Sequence, residues 1–306
     1  MSARSQVIVR EVGLRDGLQS IDRTVDTRTK LEWLRGAYEA GIREIEVGSF
    51  VPARLMPQLA DTAELVAYAK SLPGLTTSVL VPNLKGAQAA LDSGAHVMLL
   101  PLSASHAHSL ANLRKTPDAV VEEIGRIRAL RDSSGSKCIL EVGLSTAFGC
   151  TIQGQVPESE VMRLLMAVLD AGADRVGLAD TVGYADPYQV KQLFEKAFAQ
   201  VDDRLCCGHF HDTRGLGLAN VFAAWETGIR RFDACTAGIG GCPHAPGASG
   251  NVATEDMAYL FASMGQITGL AFEKLLALRA NVAHWLEGER LYGSVWRAGL
   301  PKSMAR

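Results

Sequence analysis

The chain has 306 residues, of which 47% are hydrophobic and 21% charged, and its formal net charge is −2. This length allows one large α/β barrel or two ordinary domains, and the composition is typical of a globular protein. A nearly neutral chain has no basic field for nucleic acid or for an acidic membrane surface, so we expect neither partner. No apolar run approaches the roughly 20 residues that span a bilayer. The N-terminus shows no apolar signal segment, so the sequence predicts a cytoplasmic protein.

Cysteine usage agrees with a reducing compartment. None of the six cysteines forms a C-x-x-C pair, and they stand at positions 138, 150, 206, 207, 235 and 242. In a chain of this length without a signal segment, free thiols are the expected state. A structural zinc site built from four thiolates is not supported.

One local pattern recurs along the chain. A helical stretch is followed by a small residue with glycine and then by a short β-rich run, as in Ala40-Gly41-Ile42 before 44–49. Glycine after a helix takes the left-handed conformation that other residues resist, and the short apolar run is typical of a strand buried on both faces. The pattern precedes four predicted strands, at 44–49, 97–100, 175–179 and 232–236, and further β-rich runs predict four more, at 7–12, 77–81, 137–143 and 205–211.

Amphipathic helices fill the gaps between these strands, among them Thr27–Ala40, Asp118–Asp132, Glu158–Ala171 and Tyr188–Val201. Eight alternating βα units predict an α/β fold, a closed (β/α)8 TIM barrel. An open doubly wound sheet is the alternative, and no G-x-G-x-x-G follows the first strand to support it. No linker divides the chain, so we expect a single catalytic TIM-barrel domain over 1–306, with a C-terminal helical extension over 272–306 and a helix over Phe272–Tyr292.

Polar motifs follow three strands that barrel closure makes neighbours. Residues just past the C-terminal ends of TIM-barrel strands converge on one site. His209 and His211 are two apart on strand seven, so both imidazoles point to one face. Asp16, after strand one, supplies a carboxylate, and the amide oxygen of Asn251 is a candidate fourth ligand. A lone H-x-H also occurs where histidines bond backbone carbonyls, but Asp16 and Asn251 favour a metal site, and these N and O ligands favour a divalent cation such as Mg²⁺ or Mn²⁺.

Further side chains are predicted to act around this site. Arg15 is either an ordinary ion-pair partner of Asp16 or a fixed positive charge that stabilises a developing oxyanion, and Gln19 would support the same network. Glu46 and Asp180 stand at the ends of strands two and six as orienting groups or substrate contacts. Cys242 lies in a segment, 238–250, whose glycines and prolines predict a mobile loop. It is either an inconsequential thiol or a general acid or base.

The chain resembles the 3-hydroxy-3-methylglutaryl-CoA lyase family of the metal-dependent lyase and Claisen-condensing barrel superfamily. The matching segments span nearly the whole chain in the family's order. They are Arg15-Asp16-Gly17-Leu18-Gln19, Glu46 with Ser49-Phe50-Val51, Pro82-Asn83-Leu84-Lys85-Gly86, Asp180-Thr181, His209-x-His211-Asp212-Thr213, Gly241-Cys242-Pro243 and Gly250-Asn251-x-x-Thr254-Glu255-Asp256.

The resemblance implies a set of roles for these positions. Asp16, His209, His211 and Asn251 would bind the metal, Arg15, Asp16 and Cys242 would be catalytic with Glu46 and Asp180 in support, and Arg15, Gln19, Asn83 and Thr181 would contact substrate. Two places depart from the family's pattern, the segment Ser103–Lys115 and His244, and the first is expected to affect CoA contacts and acyl specificity.

The implied activity is cleavage of 3-hydroxy-3-methylglutaryl-CoA to acetyl-CoA and acetoacetate. A related substrate, citramalyl-CoA or a longer branched glutaryl-CoA, is an alternative, and so is a condensing acyl-CoA synthase of the same superfamily. The Gly-Cys-Pro loop and the short C-terminus argue against the synthase. A catalytically silent metal-binding or CoA-binding protein is a further alternative. A homodimer or higher homo-oligomer is expected because that is the commonest assembly.

Overall fold

Eight parallel strands close into a barrel in sequence order, with β1 paired to β8. The computed structural model describes residues 6–241, 249–302 and 304. The strands are β1 Ile8–Glu11, β2 Glu44–Ser49, β3 Thr76–Leu80, β4 Val97–Ser103, β5 Ile139–Ser145, β6 Arg175–Asp180, β7 Leu205–Phe210 and β8 Arg231–Ala234. The predicted (β/α)8 barrel is therefore confirmed, and the open sheet is excluded.

Helices follow the strands and cover the outside of the barrel. They are α1 Thr27–Glu39, α2 Thr62–Ala69, α3 Leu84–Ser93, α4 His106–Leu113, α5 Pro117–Ser133, α6 Glu158–Asp170, α7 Pro187–Val201, α8 Gly217–Glu226, α9 Thr254–Ser263, α10 Phe272–Trp285 and α11 Val295–Ala298. Several of them begin at side-chain caps, as at Asp26, whose carboxylate accepts a hydrogen bond from Thr29 N at 2.9 Å.

Strand β4 is longer than its sequence pattern predicts. The sequence predicts a strand that ends at Leu100, because the next residue, Pro101, lacks the N–H that a central strand usually needs. In the structure the parallel pairing with β5 continues past the proline to the pair Ser103 and Ser145. Both strands therefore deliver hydroxyl groups to the C-terminal end of the barrel.

The last predicted helix is shorter than expected. Helix α10 ends at Trp285, whereas the pattern predicts a helix to Tyr292. Gly288 takes a left-handed φ of 94°, which ends a helical path at little cost for glycine. Helix α10 packs against α1, with the rings of Trp33 and Trp285 6.4 Å apart. In the part of the chain that the structure describes, no helix is long and apolar enough to cross a membrane.

Candidate metal centre and active site

Three predicted ligands converge at the C-terminal mouth of the barrel. Asp16, His209 and His211 each offer one ligand atom, and these atoms lie within 4.8 Å of one another. The two imidazole Nε2 atoms are 3.1 Å apart, and they lie 3.9 Å (His209) and 3.8 Å (His211) from Asp16 Oδ2. The fourth predicted ligand, Asn251, places its Nδ2 2.7 Å from the same carboxylate oxygen.

Local backbone structure brings these groups together. A single π-helical turn, Gly13–Gly17, follows β1 directly and turns Arg15 and Asp16 towards the mouth. Such turns are rare in proteins, and those that do occur are often found at functional sites. His211 lies one residue past the end of β7 and forms an isolated antiparallel bridge with Asn251, which joins the loop after β8 to β7.

The donor set fits a divalent cation. His209 Nδ1 lies 3.0 Å from Asp233 Oδ2, so a proton on Nδ1 leaves the Nε2 lone pair facing the cluster, an arrangement common among metal-ligating histidines. Asn251 Oδ1 and His211 Nδ1 are buried and have no hydrogen-bond partner among the described residues. An unpaired buried acceptor such as Asn251 Oδ1 is costly unless something else satisfies it, and a cation would do so.

The charge on Asp16 is held in place by its neighbours. Burial alone would raise the pKa of this carboxyl, but the Arg15 charge and the nearby histidines outweigh burial and hold the pKa well below its usual value. Arg15 Nη1 donates to Asp16 Oδ1 at 2.7 Å, and Gln19 Nε2 donates to the same oxygen at 3.2 Å. The predicted network of Arg15, Asp16 and Gln19 is therefore present, and it keeps an anionic oxygen at the cluster.

Glu46 joins this network from β2. Its Oε1 lies 2.7 Å from Arg15 Nε, in an ion pair whose angles are not those of a hydrogen bond. The Glu46 carboxylate is almost fully buried, and burial raises its pKa even against the opposing charge of Arg15. Arg15 is thus held between two acidic side chains, which fixes its guanidinium at the mouth.

Three other predicted site residues contact backbone in loops at the same end of the barrel. The Asp180 carboxylate accepts hydrogen bonds from Tyr184 N at 2.8 Å and Ala185 N at 3.1 Å. Thr181 Oγ1 accepts from Thr146 N at 2.9 Å, and Asn83 Oδ1 accepts from Gly86 N as the N-cap of α3. Their predicted contacts with substrate stay predictions.

Cys242 and His244 lie outside the described residues. The segment Ser103–Lys115 is described: it finishes β4 and forms α4 immediately afterwards, on the same side of the barrel as the metal cluster. In it His108 is buried, with Nδ1 3.1 Å from Ser103 Oγ. The segment predicted to depart from the family's sequence pattern therefore contains a short helix beside the mouth.

Sequence reasoning missed the row of buried charges that leads from His209 into the barrel. Asp233 lies on β8, Arg10 on β1 and Glu141 on β5, each almost fully buried and bonded to another of the three. The sequence does signal that each charge needs a partner, because a lone charged residue in an apolar strand must be paired once it is buried, but it does not say which residue the partner is.

Glu255 holds the turn after β8. Its Oε2 accepts from Ala237 N at 3.2 Å, and its Oε1 lies 3.3 Å from Arg279 Nε on α10. Burial raises the pKa of Glu255 to about 7. The carboxyl therefore connects α9 and α10 to the turn that leads into the glycine-rich segment.

This raised pKa predicts a pH-dependent stability. In the unfolded chain Glu255 loses its proton near its ordinary pKa, whereas the folded protein keeps it until about pH 7, so its contribution falls as pH rises through that value. Relative to Glu255→Gln, whose side chain does not titrate, the wild type should lose about 2 kcal/mol of unfolding free energy between pH 5.5 and 8. Urea unfolding of both proteins at the two pH values measures this. An unchanged difference would contradict it.

Comparison with known proteins identifies the family. A family model described as HMGL-like matches residues 6–282. The hydroxymethylglutaryl-CoA lyase of Bacillus subtilis is 36% identical over 282 residues, which cover 92% of this chain and 92% of the relative. The (R)-citramalyl-CoA lyase of Chloroflexus aurantiacus is also 36% identical, over 96% of this chain and 95% of the relative.

A solved structure agrees with these relatives. The HMG-CoA lyase from Acinetobacter baumannii, in complex with coenzyme A and 3-methylmalate, superimposes with a TM-score of 0.93 at 36% identity. The match covers 99% of this chain and 98% of that one. The family resemblance that the motifs indicated is confirmed: the chain belongs to the HMGL-like family.

Proposed function

We propose that this protein is a divalent-metal-dependent carbon–carbon lyase that cleaves 3-hydroxy-3-methylglutaryl-CoA to acetyl-CoA and acetoacetate. The observation that carries the proposal is the meeting of Asp16, His209 and His211 beside Arg15 at the barrel mouth. Membership of a family with lyases of this substrate at 36% identity supports the choice of reaction.

The ion, Mg²⁺ or Mn²⁺, would be held by Asp16, His209, His211 and Asn251. When bound, it would supply Lewis acidity to the substrate's tertiary hydroxyl and lower the pKa of that hydroxyl. A carboxylate oxygen and imidazole nitrogens are the ligand types that such a cation accepts.

The chain's own residues then divide the remaining work. The hydroxyl proton leaves to a base, for which the candidates are Asp16 and a group that the metal would hold, and the O–H electron pair becomes the second bond of the new ketone. The C2–C3 bond breaks, and its electrons pass into the thioester as the enolate of acetyl-CoA. Arg15, fixed between Asp16 and Glu46, faces the developing negative charge with a planar, permanently charged group.

The enolate must take up one proton to give acetyl-CoA. We assign this step to the Cys242 thiol, on the basis of the family resemblance. The proton lost by the hydroxyl and the proton gained by the enolate balance, so no oxidant or reductant is required.

(R)-Citramalyl-CoA is the second candidate substrate, favoured by the similarity to a citramalyl-CoA lyase over nearly the whole chain. The two thioesters share a tertiary hydroxyl and a methyl group and differ by one methylene before the distal carboxylate. One methylene is worth only about 10–200-fold in discrimination. We expect the segment Ser103–Lys115, which contains the short helix α4 beside the mouth, to set the preference between these two substrates.

Acetyl-CoA release from a panel of thioesters tests the proposal. We expect 3-hydroxy-3-methylglutaryl-CoA to be cleaved fastest, activity to fall to background after EDTA treatment, and Mn²⁺ or Mg²⁺ to restore it. Faster cleavage of citramalyl-CoA would establish the second candidate instead. Full activity in EDTA, after metal analysis shows a metal-free protein, would refute metal dependence, and absence of any cleavage with metal added would refute the lyase assignment.

A further inference from the structure

A row of charged side chains, buried except for the partly exposed Arg175, crosses the barrel interior and ends at His209. TIM-barrel interiors are ordinarily filled by branched apolar side chains. Here Arg175 Nε donates to Glu141 Oε2 at 2.7 Å, and Glu141 Oε1 accepts from Arg10 Nη1 at 2.7 Å. Arg10 in turn binds Asp233, which contacts His209 Nδ1.

We propose that Arg10 is a positioning residue for the metal centre: its guanidinium fixes the Asp233 carboxylate, which orients His209 so that Nε2 faces the cation. The inference rests on the proposed function, because it requires the metal site at Asp16, His209 and His211. Among the described residues Arg10 forms no hydrogen bond or ion pair with these three side chains, and it acts through Asp233.

The contact between Arg10 and Asp233 is bidentate. Arg10 Nε donates to Asp233 Oδ1 at 2.7 Å, and Arg10 Nη2 donates to Asp233 Oδ2 at 3.0 Å. A bidentate pair fixes the plane of the carboxylate as well as its position. Because Asp233 Oδ2 is the oxygen that meets His209 Nδ1, the plane of the carboxylate determines the orientation of the imidazole.

Burial makes this geometry hard to replace. Arg10 is 2% exposed and Asp233 7% exposed, so bulk water cannot take over either partner. The row contains two arginines and two carboxylates, so it carries no net charge into the interior. Lysine would keep the charge of Arg10 but not the rigid fork, and Arg→Lys at a bidentate site is not conservative.

The experiment compares Mn²⁺ affinity, measured by calorimetry, in wild type and two matched variants. Arg10→Lys loses the fork next to Asp233, whereas Arg175→Lys perturbs the same row on the far side of Glu141. We expect Arg10→Lys to bind Mn²⁺ about 10-fold more weakly or worse, the loss typical of partners behind metal ligands. Arg175→Lys should bind within about threefold of wild type, since the contacts of Asp233 and His209 remain intact.

A second variant covers the case in which Arg10→Lys does not fold. The double variant Arg10→Gln/Glu141→Gln removes one positive and one negative charge, so the row stays balanced, and it should show the same loss of Mn²⁺ affinity. Unfolding in urea is measured for every variant, because a purely structural role would lower stability without separating the Arg10 and Arg175 variants in metal affinity.

Each outcome decides the matter. Wild-type affinity in Arg10→Lys, or equal losses in Arg10→Lys and Arg175→Lys, would overturn the positioning role while leaving the metal centre standing. Absence of Mn²⁺ binding by the wild type would overturn the proposed function and this inference with it.

Discussion

The variant Asp16→Asn should lose at least about 10³-fold in turnover and should no longer bind Mn²⁺ measurably. Asp16 is the one anionic side chain among the three clustered ligands, and its two oxygens contact Arg15, Gln19 and Asn251. Asparagine keeps the shape but removes the charge that neutralises a cation. Metal catalysis is worth several kcal/mol, and each 1.36 kcal/mol is about tenfold in rate.

Acetyl-CoA release and calorimetric Mn²⁺ titration measure the two effects. Asp26→Asn is the matched control: it makes the same chemical change at the exposed N-cap of α1, where asparagine caps equally well, so activity should be unaltered. Turnover of Asp16→Asn within tenfold of wild type, with a folded circular dichroism spectrum, would contradict the role of Asp16.

The variant Arg15→Gln should lose about 10²–10³-fold in kcat, the typical cost of removing one preorganised electrostatic donor. The Arg15 guanidinium is fixed by Asp16 and Glu46 at the mouth of the barrel, so its charge is in place before the reaction begins. Because the interaction strengthens as charge develops, we expect kcat to fall much more than substrate affinity.

Steady-state kinetics on Arg15→Gln and Arg15→Lys separate charge from geometry. The lysine variant should recover part of the lost rate, since it restores the charge without the planar fork. The exposed Arg23 provides the control, because Arg23→Gln makes the same substitution at an arginine that donates to the backbone oxygen of Glu287 instead of to Asp16. A kcat for Arg15→Gln within threefold of wild type would show that Arg15 does not stabilise the transition state.

Most of the fold could be predicted from the sequence because the signals that begin and end its helices and strands are local. A glycine after a helix and a short apolar run before the next turn are features of a few neighbouring residues, and eight alternating βα units predict a closed barrel. Boundaries were less predictable where tertiary pairing overrides a local signal. Pro101 interrupts the pattern of β4 but not its pairing with β5, and the helix predicted to Tyr292 stops at Trp285.

Some contacts of the site could likewise be predicted from the sequence, and others could not. Asp16, His209 and His211 could be predicted to meet because parallel strands of a barrel bring their C-terminal ends together. The partner of His209 could not, because Asp233 meets it through the register of β7 against β8, in which His209 lies beside Asp233. Arg10 reaches Glu141 across the barrel, a contact between β1 and β5 that no local pattern encodes.

Anomalous diffraction from crystals of the protein grown with Mn²⁺ is the most direct measurement of the metal centre. We expect one manganese peak for each chain, bounded by the Asp16 carboxylate and by Nε2 of His209 and His211, and no such peak in Asp16→Asn. If crystals of active, manganese-loaded wild-type protein showed manganese peaks only away from these three side chains, the proposed metal centre would be contradicted.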